Sequence, residues 1–143
     1  TKRGIMGFSA GGNLAVRTAT SFEQRTYELV DHAVELSGPP DFALLLYPAY
    51  IISESNSMSL HPSIKINKDS PPMFFAHAGD DHIPAEGSVL TFLSLEKAGV
   101  VGSELHVFPF GGHGFGLRSN KHPVTDWHFR AQDWFLSLGL IKN

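Results

Sequence analysis

The sequence has 143 residues, of which 42% are hydrophobic and 17% charged, and its formal net charge is −3. This size and balance are typical of one soluble globular domain, and they give no reason to expect nucleic acid or an anionic membrane as a partner. The chain has no cysteine, so disulfides and thiolate chemistry are excluded, and no apolar run approaches the length of a membrane span.

The first third of the chain alternates between strand and helix patterns. Residues 2–8 predict a short strand, and residues 10–20 predict a helix in which Leu14, Ala15 and Ala19 are available to pack. A further helix is predicted at residues 27–36, before a turn of the type Ser-Gly-Pro-Pro.

The remainder continues the alternation. Continuous apolar runs at 42–47 and 73–77 predict strands that are buried on both faces of a parallel sheet. The long polar segment 48–70 between them is predicted to be a surface loop without regular structure. Residues 104–108 predict another strand, which follows a helix with Pro84 in its first turn and Gly99 at its end.

The last helix has the clearest pattern. Thr125 is predicted to cap it, Asp126 favours its N-terminus, and Gly139 ends it. Its apolar stripe comprises Trp127, Ala131, Trp134, Phe135 and Leu138. Strand and helix alternation of this kind predicts an α/β fold, with a parallel sheet of about four strands and flanking helices.

The segment Gly7-Phe8-Ser9-Ala10-Gly11 stands between the first strand and the first helix. This GxSxG pattern is typical of a nucleophilic serine on a strained strand-to-helix turn. Gly7 and Gly11 are expected to let strand and helix pass closely, while Ser9 is held above the sheet. The Ala10 N–H at the start of the helix is then a predicted donor to an oxyanion.

Two later strand ends carry an acid and a base. The Asp80-Asp81 pair follows the strand at 73–77, and His113 follows the strand at 104–108. Reactive groups gather at the carboxyl ends of parallel strands, so Ser9, one of the two aspartates and His113 are predicted to meet there. Either aspartate could instead cap the following helix.

The other histidines predict neither a metal site nor a cofactor. They show no HExxH pattern and no close ligand spacing, and the Gly11-Gly12 pair is too short for a phosphate loop. His106 is predicted to be structural, and His82 lies near the proposed site.

At this point the sequence resembles the C-terminal half of an α/β-hydrolase esterase, similar to acetyl esterases and acetylxylan-esterase-like enzymes. The resemblance rests on residues 7–15, Leu-Tyr-Pro at 46–48, the segments 71–74 and 77–81, the strand 104–108 with Gly-Gly-His-Gly-Phe-Gly at 111–116, and Trp-Phe at 134–135. It covers most of residues 1–143, apart from roughly 21–34 and 51–68.

The resemblance implies roles for individual residues. Ser9 would be the nucleophile, Asp80, as the first of the pair, the triad acid, and His113 the base, in hydrolysis of short-chain acyl esters without a cofactor. The family's oxyanion loop of the HGG type precedes the elbow, and these 143 residues hold no counterpart. We therefore expect a second oxyanion donor from outside this sequence, and an open edge on the first strand through which the chain self-associates.

Two other functions fit the same pattern. A serine peptidase of the prolyl-oligopeptidase kind shares the sheet and the order of serine, aspartate and histidine. A non-catalytic fragment of an esterase would keep the fold without the activity. The compartment in which the protein works is not indicated by the sequence.

Overall fold

The computed structural model describes residues 2–22 and 38–142. Its main strands are β1 (Gly4–Phe8), β2 (Phe42–Leu46), β5 (Met73–Ala78) and β6 (Glu104–Phe108). The helices are α1 (Ala10–Thr20), α2 (Glu86–Ala98) and α3 (Trp127–Ser137), and a short hairpin consists of β3 (Ile52–Ser53) and β4 (Asn56–Leu60). The helix predicted at 27–36 lies outside the described residues.

The four main strands form one sheet in the order β1-β2-β5-β6, and every pair in it is parallel. Parallel neighbours require crossover connections: α1 lies between β1 and β2, the β3–β4 hairpin lies between β2 and β5, and α2 lies between β5 and β6. The predicted α/β class with four parallel strands and flanking helices is confirmed. The carboxyl ends of all four strands therefore lie at one edge of the sheet.

Residues of β2 alternate between two hydrophobic cores. Ala43 and Leu45 belong to the core that contains residues of α1 and α2, whereas Leu44 and Leu46 belong to the core that contains residues of α3. All six residues of β5 are buried. The prediction that these apolar runs are covered on both faces is confirmed, because helices pack against each side of the sheet.

The segment 48–70 is more ordered than its sequence indicates. It contains the antiparallel β3–β4 hairpin, and Ile51 is only 2% exposed. The prediction of an irregular surface loop was wrong, because Ser-rich strands that are short and largely exposed have no apolar alternation to reveal them. Leu14, expected to pack, is 66% exposed on the outer side of α1.

The start of the last helix also differs from its prediction. Thr125 lies within a 3₁₀ turn, Pro123–Asp126, and its hydroxyl donates to the carbonyl of His122 rather than capping α3. The proline fixes the first turn of this segment, which shifts the helix start to Trp127. The apolar stripe itself is confirmed, with Trp127 and Trp134 buried.

Strand β1 is one of the two edge strands of the sheet. Strand β1 pairs with β2 on one side, and within residues 2–22 and 38–142 no strand pairs with its other side. Met6 on this strand is 54% exposed.

Among the residues that the structure describes, no helix combines the length and the apolar character that crossing a bilayer requires.

Candidate functional site

The backbone of Ser9 is strained. It has φ 51° and ψ −120°, a region that costs a non-glycine residue about 1–3 kcal/mol. Four hydrogen bonds hold the turn: Ser9 N–H donates to Leu46 O at 3.0 Å, and the N–H groups of Ala49, Gly12 and Asn13 donate to Ser9 O at 3.0, 2.9 and 3.2 Å. The turn at the end of β1 is thus tied to the end of β2.

Two glycines allow the close approach of strand and helix at this turn. A Cβ on Gly7 would lie 2.1 Å from the carbonyl oxygen of Gly11, and a Cβ on Gly12 would lie 2.8 Å from Pro48 Cβ. The expected role of Gly11 was wrong, because a Cβ there would meet no atom within 4 Å. Gly12 makes the close contact instead, and it is the residue after the GxSxG pattern.

Ala10 is the first residue of α1. Its N–H belongs to the first turn of the helix, where backbone donors have no acceptor within the helix and where the helix dipole favours negative charge. This position agrees with the predicted oxyanion donor, whose function stays a prediction.

The loop after β6 brings His113 to Ser9. Ser9 Oγ and His113 Nε2 are 2.7 Å apart, although the two residues are 104 positions apart in the chain. Gly112 and Gly114 on either side of the histidine have φ of 62° and 79°, which glycine adopts without strain. The predicted meeting of serine and histidine is present in the structure.

The partner of the histidine is Asp81, not Asp80. His113 Nδ1 lies 2.8 Å from Asp81 Oδ2 and 3.0 Å from Asp81 Oδ1, and the Asp81 side chain is 0% exposed. Asp80 instead accepts a hydrogen bond from Gly112 N–H at 2.8 Å. The prediction that Asp80 pairs with His113 was therefore wrong.

A turn at the end of β5 explains why Asp81 rather than Asp80 contacts His113. Gly79 N–H donates to Phe108 O, and Asp81 N–H donates back to Ala78 O at 3.2 Å, so the chain reverses as the strand ends. Asp81 is then directed inward, where its Oδ1 accepts from Ile83 N–H at 2.8 Å in an Asx turn. Strand alternation cannot predict side-chain direction through such a turn.

Sequence reasoning did not assign a role to His77, which is fully buried on β5. Its Nε2 lies 2.9 Å from Ile83 O and 3.5 Å from Asp81 Oδ2, and its Nδ1 lies 3.0 Å from Ser88 Oγ. A neutral ring that is protonated on Nε2 satisfies all these contacts. Burial lowers the pKa of His77, which favours this neutral form.

Tyr47 supports the histidine from the other side. Its ring lies edge-on to His113 at 4.9 Å between centroids, and it has a positive φ of 38°. Burial raises the pKa of the Tyr47 hydroxyl, so the side chain stays neutral.

Tyr50 also has a positive φ, of 57°, and Asn13 Nδ2 donates to its carbonyl at 2.7 Å. Strained backbone thus recurs around Ser9, as it often does at functional sites.

Asp81, His82 and His113 each place one possible metal ligand atom within 4.8 Å of the others. His82 is 74% exposed, and its ring lies 4.9 Å from that of His113. Both oxygens of Asp81 already accept hydrogen bonds, from Ile83 N–H and His113 Nδ1–H. The arrangement suits a chain of proton donors and acceptors better than it suits a cation.

Comparisons with known proteins show which structures the chain resembles. The chain is similar to the crystal structure of an acetyl ester-xyloside bifunctional hydrolase from Caldicellulosiruptor lactoaceticus, at 34% identity and a TM-score of 0.83, over 97% of this chain and 57% of that protein. It is also similar to MGS-M1, an alpha/beta hydrolase from a Medee basin deep-sea metagenome library, at 27% identity and a TM-score of 0.69, over 92% and 52% of the two chains. A thermophilic esterase from Thermogutta terrifontis shares the fold, at 22% identity and a TM-score of 0.74, over 96% and 55%.

The chain thus spans a little over half the length of these three proteins. No curated protein matches the sequence. The resemblance to α/β-hydrolase esterases is confirmed, since the two structures above 25% identity are an acetyl ester-xyloside hydrolase and an alpha/beta hydrolase, and residues 1–136 match the model of a hydrolase family. The chain belongs to the dienelactone hydrolase family.

Proposed function

We propose that this protein is a serine esterase, which hydrolyses carboxylic esters of short-chain acids through an acyl-enzyme intermediate. The observation that supports this most is the continuous relay of hydrogen-bonding atoms. Ser9 Oγ lies 2.7 Å from His113 Nε2, and His113 Nδ1 lies 2.8 Å from the buried Asp81 Oδ2. A serine, a base and an orienting acid at these distances are what acyl transfer by a serine requires.

The first half of the reaction forms the acyl-enzyme. His113 Nε2 takes the Ser9 hydroxyl proton as Oγ bonds to the ester carbonyl carbon, and the carbonyl π electrons move to oxygen. Asp81 accepts from Nδ1–H, fixes the tautomer and stabilises the imidazolium. When the oxyanion reforms the carbonyl, the bond to the alcohol oxygen breaks and His113 returns the proton to that oxygen.

Water completes the cycle. His113 takes a proton from water as it attacks the acyl carbon, and the Ser9 Oγ–carbon bond breaks with return of the proton to Oγ. The Ala10 N–H is the proposed oxyanion donor in both halves. No step calls for a cofactor.

The acyl group is proposed to be short, and acetate on a sugar is the specific candidate. The similar hydrolase from Caldicellulosiruptor lactoaceticus is described as acting on acetyl esters and xylosides, and it is 34% identical to this chain. Ser9 is half-buried and the adjacent Ala10 is exposed, so an ester can reach the relay from solvent.

Replacing the nucleophile tests the proposal. Ser9→Ala should lower kcat/KM for 4-nitrophenyl acetate by about 10⁴-fold or more, because the proposed acyl-enzyme forms on Ser9 Oγ. Circular dichroism should show an unchanged fold. Ser55→Ala, which alters an exposed serine in the hairpin, is the matched control and should keep its activity.

A serine peptidase and a non-catalytic chain, the two alternatives, would give different results in these assays. A serine peptidase would cleave a dipeptidyl anilide faster than the nitrophenyl ester. A non-catalytic chain would hydrolyse neither, and a serine-directed fluorophosphonate would leave Ser9 unmodified. Either result would overturn the proposal.

A further inference from the structure

His77 is the only polar residue of β5, the strand that leads to the acid of the relay. It is fully buried, and it shares a face of the strand with Phe75, which belongs to the core that contains residues of α2. An apolar side chain could fill this position without the loss of hydration that a buried imidazole suffers. The role of the histidine therefore lies in what its two ring nitrogens contact.

Ser88, in the first turn of α2, contacts the first of these nitrogens. Its side chain is buried, and Ser88 Oγ lies 3.0 Å from His77 Nδ1. A hydroxyl that donates to Nδ1 leaves the single proton of the neutral ring on Nε2. His77 Nε2–H then donates to Ile83 O at 2.9 Å. In the other tautomer two acceptors, Nε2 and Ile83 O, would face each other, so the surroundings of the ring select one tautomer.

Ile83 connects this histidine to the acid. Its carbonyl accepts from His77 Nε2–H, and its N–H donates to Asp81 Oδ1 at 2.8 Å. Pro84 follows it and restricts its backbone to extended conformations, so Ile83 stays outside the helix that begins at Glu86. A shift of Ile83 would therefore move the donor that orients the carboxylate.

The position of this carboxylate matters for the relay. Asp81 Oδ2 lies 2.8 Å from His113 Nδ1, and it lies 3.5 Å from His77 Nε2. The second distance is at the limit of a hydrogen bond, so the main contact of His77 is the one with Ile83 O. A displacement of about 1 Å at a group that supports the reaction can cost roughly 10²-fold in rate.

We propose that His77 is a positioning residue of this esterase: it holds Ile83 and thereby the carboxylate of Asp81, and Ser88 fixes the tautomer in which it can do so. This inference rests on the proposed esterase function. It gives His77 and Ser88 a part in the reaction through their contacts with Ile83, with Asp81 and with each other.

Variants that remove or retain the donor test the assignment. His77→Leu is similar in volume and removes the N–H that holds Ile83 O, whereas His77→Gln supplies an amide N–H in its place. Ser88→Ala removes the hydroxyl that sets the tautomer. Its matched control is Thr91→Val, which removes another buried hydroxyl of α2, one that bonds to Gly87 O. Reactive sites are counted in each protein with a fluorophosphonate, so that rates refer to folded protein.

The rate of 4-nitrophenyl acetate hydrolysis should follow the donor. His77→Leu should lower kcat about 10²-fold and leave KM within about threefold, because Asp81 is displaced while the ester still binds. His77→Gln should restore kcat to within about threefold of the original value. Ser88→Ala should lower kcat about tenfold, and Thr91→Val should stay within about twofold.

A double-mutant cycle shows whether His77 acts through Asp81. In an Asp81→Asn background the acid is already lost, so His77→Leu should cost less than about threefold there instead of about 10²-fold. Losses of equal size in the two backgrounds would mean that the substitution weakens the fold as a whole, and they would overturn the proposal.

Nitrogen-15 NMR of the histidine rings gives a readout that does not need turnover. In the unaltered protein the His77 ring should be protonated on Nε2 and not on Nδ1. A ring protonated on Nδ1, or an unchanged kcat in His77→Leu with Ser9 still labelled, would refute the positioning role alone. Equal rates in Ser88→Ala and Thr91→Val would overturn the part assigned to Ser88. Absence of labelling at Ser9 in the unaltered protein would refute the proposed esterase function and this inference with it.

Discussion

Strands β1 and β5 are each followed by a residue of the relay, Ser9 after β1 and Asp81 after β5, but the two strands differ in how they are paired in the sheet. Strand β5 is paired on both sides, and all six of its residues are buried. Strand β1 pairs with β2 on one side and with no described strand on the other, and an apolar cavity of about 450 Å³ is lined by residues of β1, β2 and α3. Ile5 and Met6 of β1 line that cavity, along with Phe42, Trp127 and Phe135.

The acid Asp81 and the nucleophile Ser9 are therefore held in place in different ways. The acid side is complete within the described chain, because Asp81 is held by Ile83 N–H, His113 Nδ1–H and the nearby His77. On the nucleophile side, Ser9 is anchored through Leu46 and Ala49, while the strand that leads to it has a pairing strand on one side only among the described residues. The two strands can therefore be perturbed separately.

The largest effect is expected on the β5 side. Asp81→Asn should lower kcat about 10⁴-fold, because an amide beside His113 Nδ1 favours the wrong tautomer. Asp80→Asn should cost less than tenfold, since its side-chain oxygen can still accept from Gly112 N–H. The measurement is the steady-state rate of 4-nitrophenyl acetate hydrolysis by both variants, with folding checked by thermal unfolding. Equal losses in the two variants would reject the assignment of Asp81.

The β1 side should show an intermediate effect, on assembly. We propose that the chain associates with a second copy through the open edge of β1 and the apolar cavity beside it. Met6→Lys should weaken self-association at least tenfold, about 1.4 kcal/mol, because it places a charge on that surface. Sedimentation velocity over a range of concentrations measures this, with Met58→Lys, at an exposed methionine in the hairpin, as the control. A protein that is monomeric throughout would show that β1 is not an association surface.

The smallest effect concerns stability against acid. The pKa of buried His77 is lowered, so the unfolded chain takes up its proton first, near the usual histidine pKa of about 6.5. The contribution of His77 to stability is therefore complete above that pH and is lost as the pH falls below it, by about 1.4 kcal/mol for each unit of lowering. In His77→Gln the free energy of unfolding should vary less between pH 7.5 and pH 5.

Urea unfolding at several pH values checks this prediction. Thr91→Val is the matched control, because Thr91 is a buried polar residue without a titrating group and its hydroxyl bonds to Gly87 O. It should change stability by the same amount at every pH. If His77→Gln behaves in the same way, the neutral His77 does not cause the loss of stability in acid.

The sequence predicted the elements with strong patterns. The apolar runs of β2 and β5 and the exact span of α1 were recognised because they bury long, regular faces. Ser9 and His113 could be paired because glycine-rich segments follow strands at the same sheet edge.

What the sequence missed depends on contacts between distant residues. The choice of Asp81 over Asp80 follows from a turn whose direction is set by hydrogen bonds to Phe108 and Ile83. The hairpin at 52–60 has a largely polar sequence, and its place in the fold follows from contacts of Ile52 with Gly87 and of Leu60 with the core. Local patterns contain neither piece of information.

The most direct test of the account is the site at which the protein reacts with a fluorophosphonate. The unaltered protein and the variants His113→Gln and Asp81→Asn are treated with one equivalent of reagent, and the modified peptides are identified by mass spectrometry. The account predicts a single adduct on Ser9 in the unaltered protein, formed at least 10³-fold more slowly in both variants. An adduct on another residue, or equal rates of labelling at Ser9 in all three proteins, would contradict a nucleophile activated by His113 and Asp81.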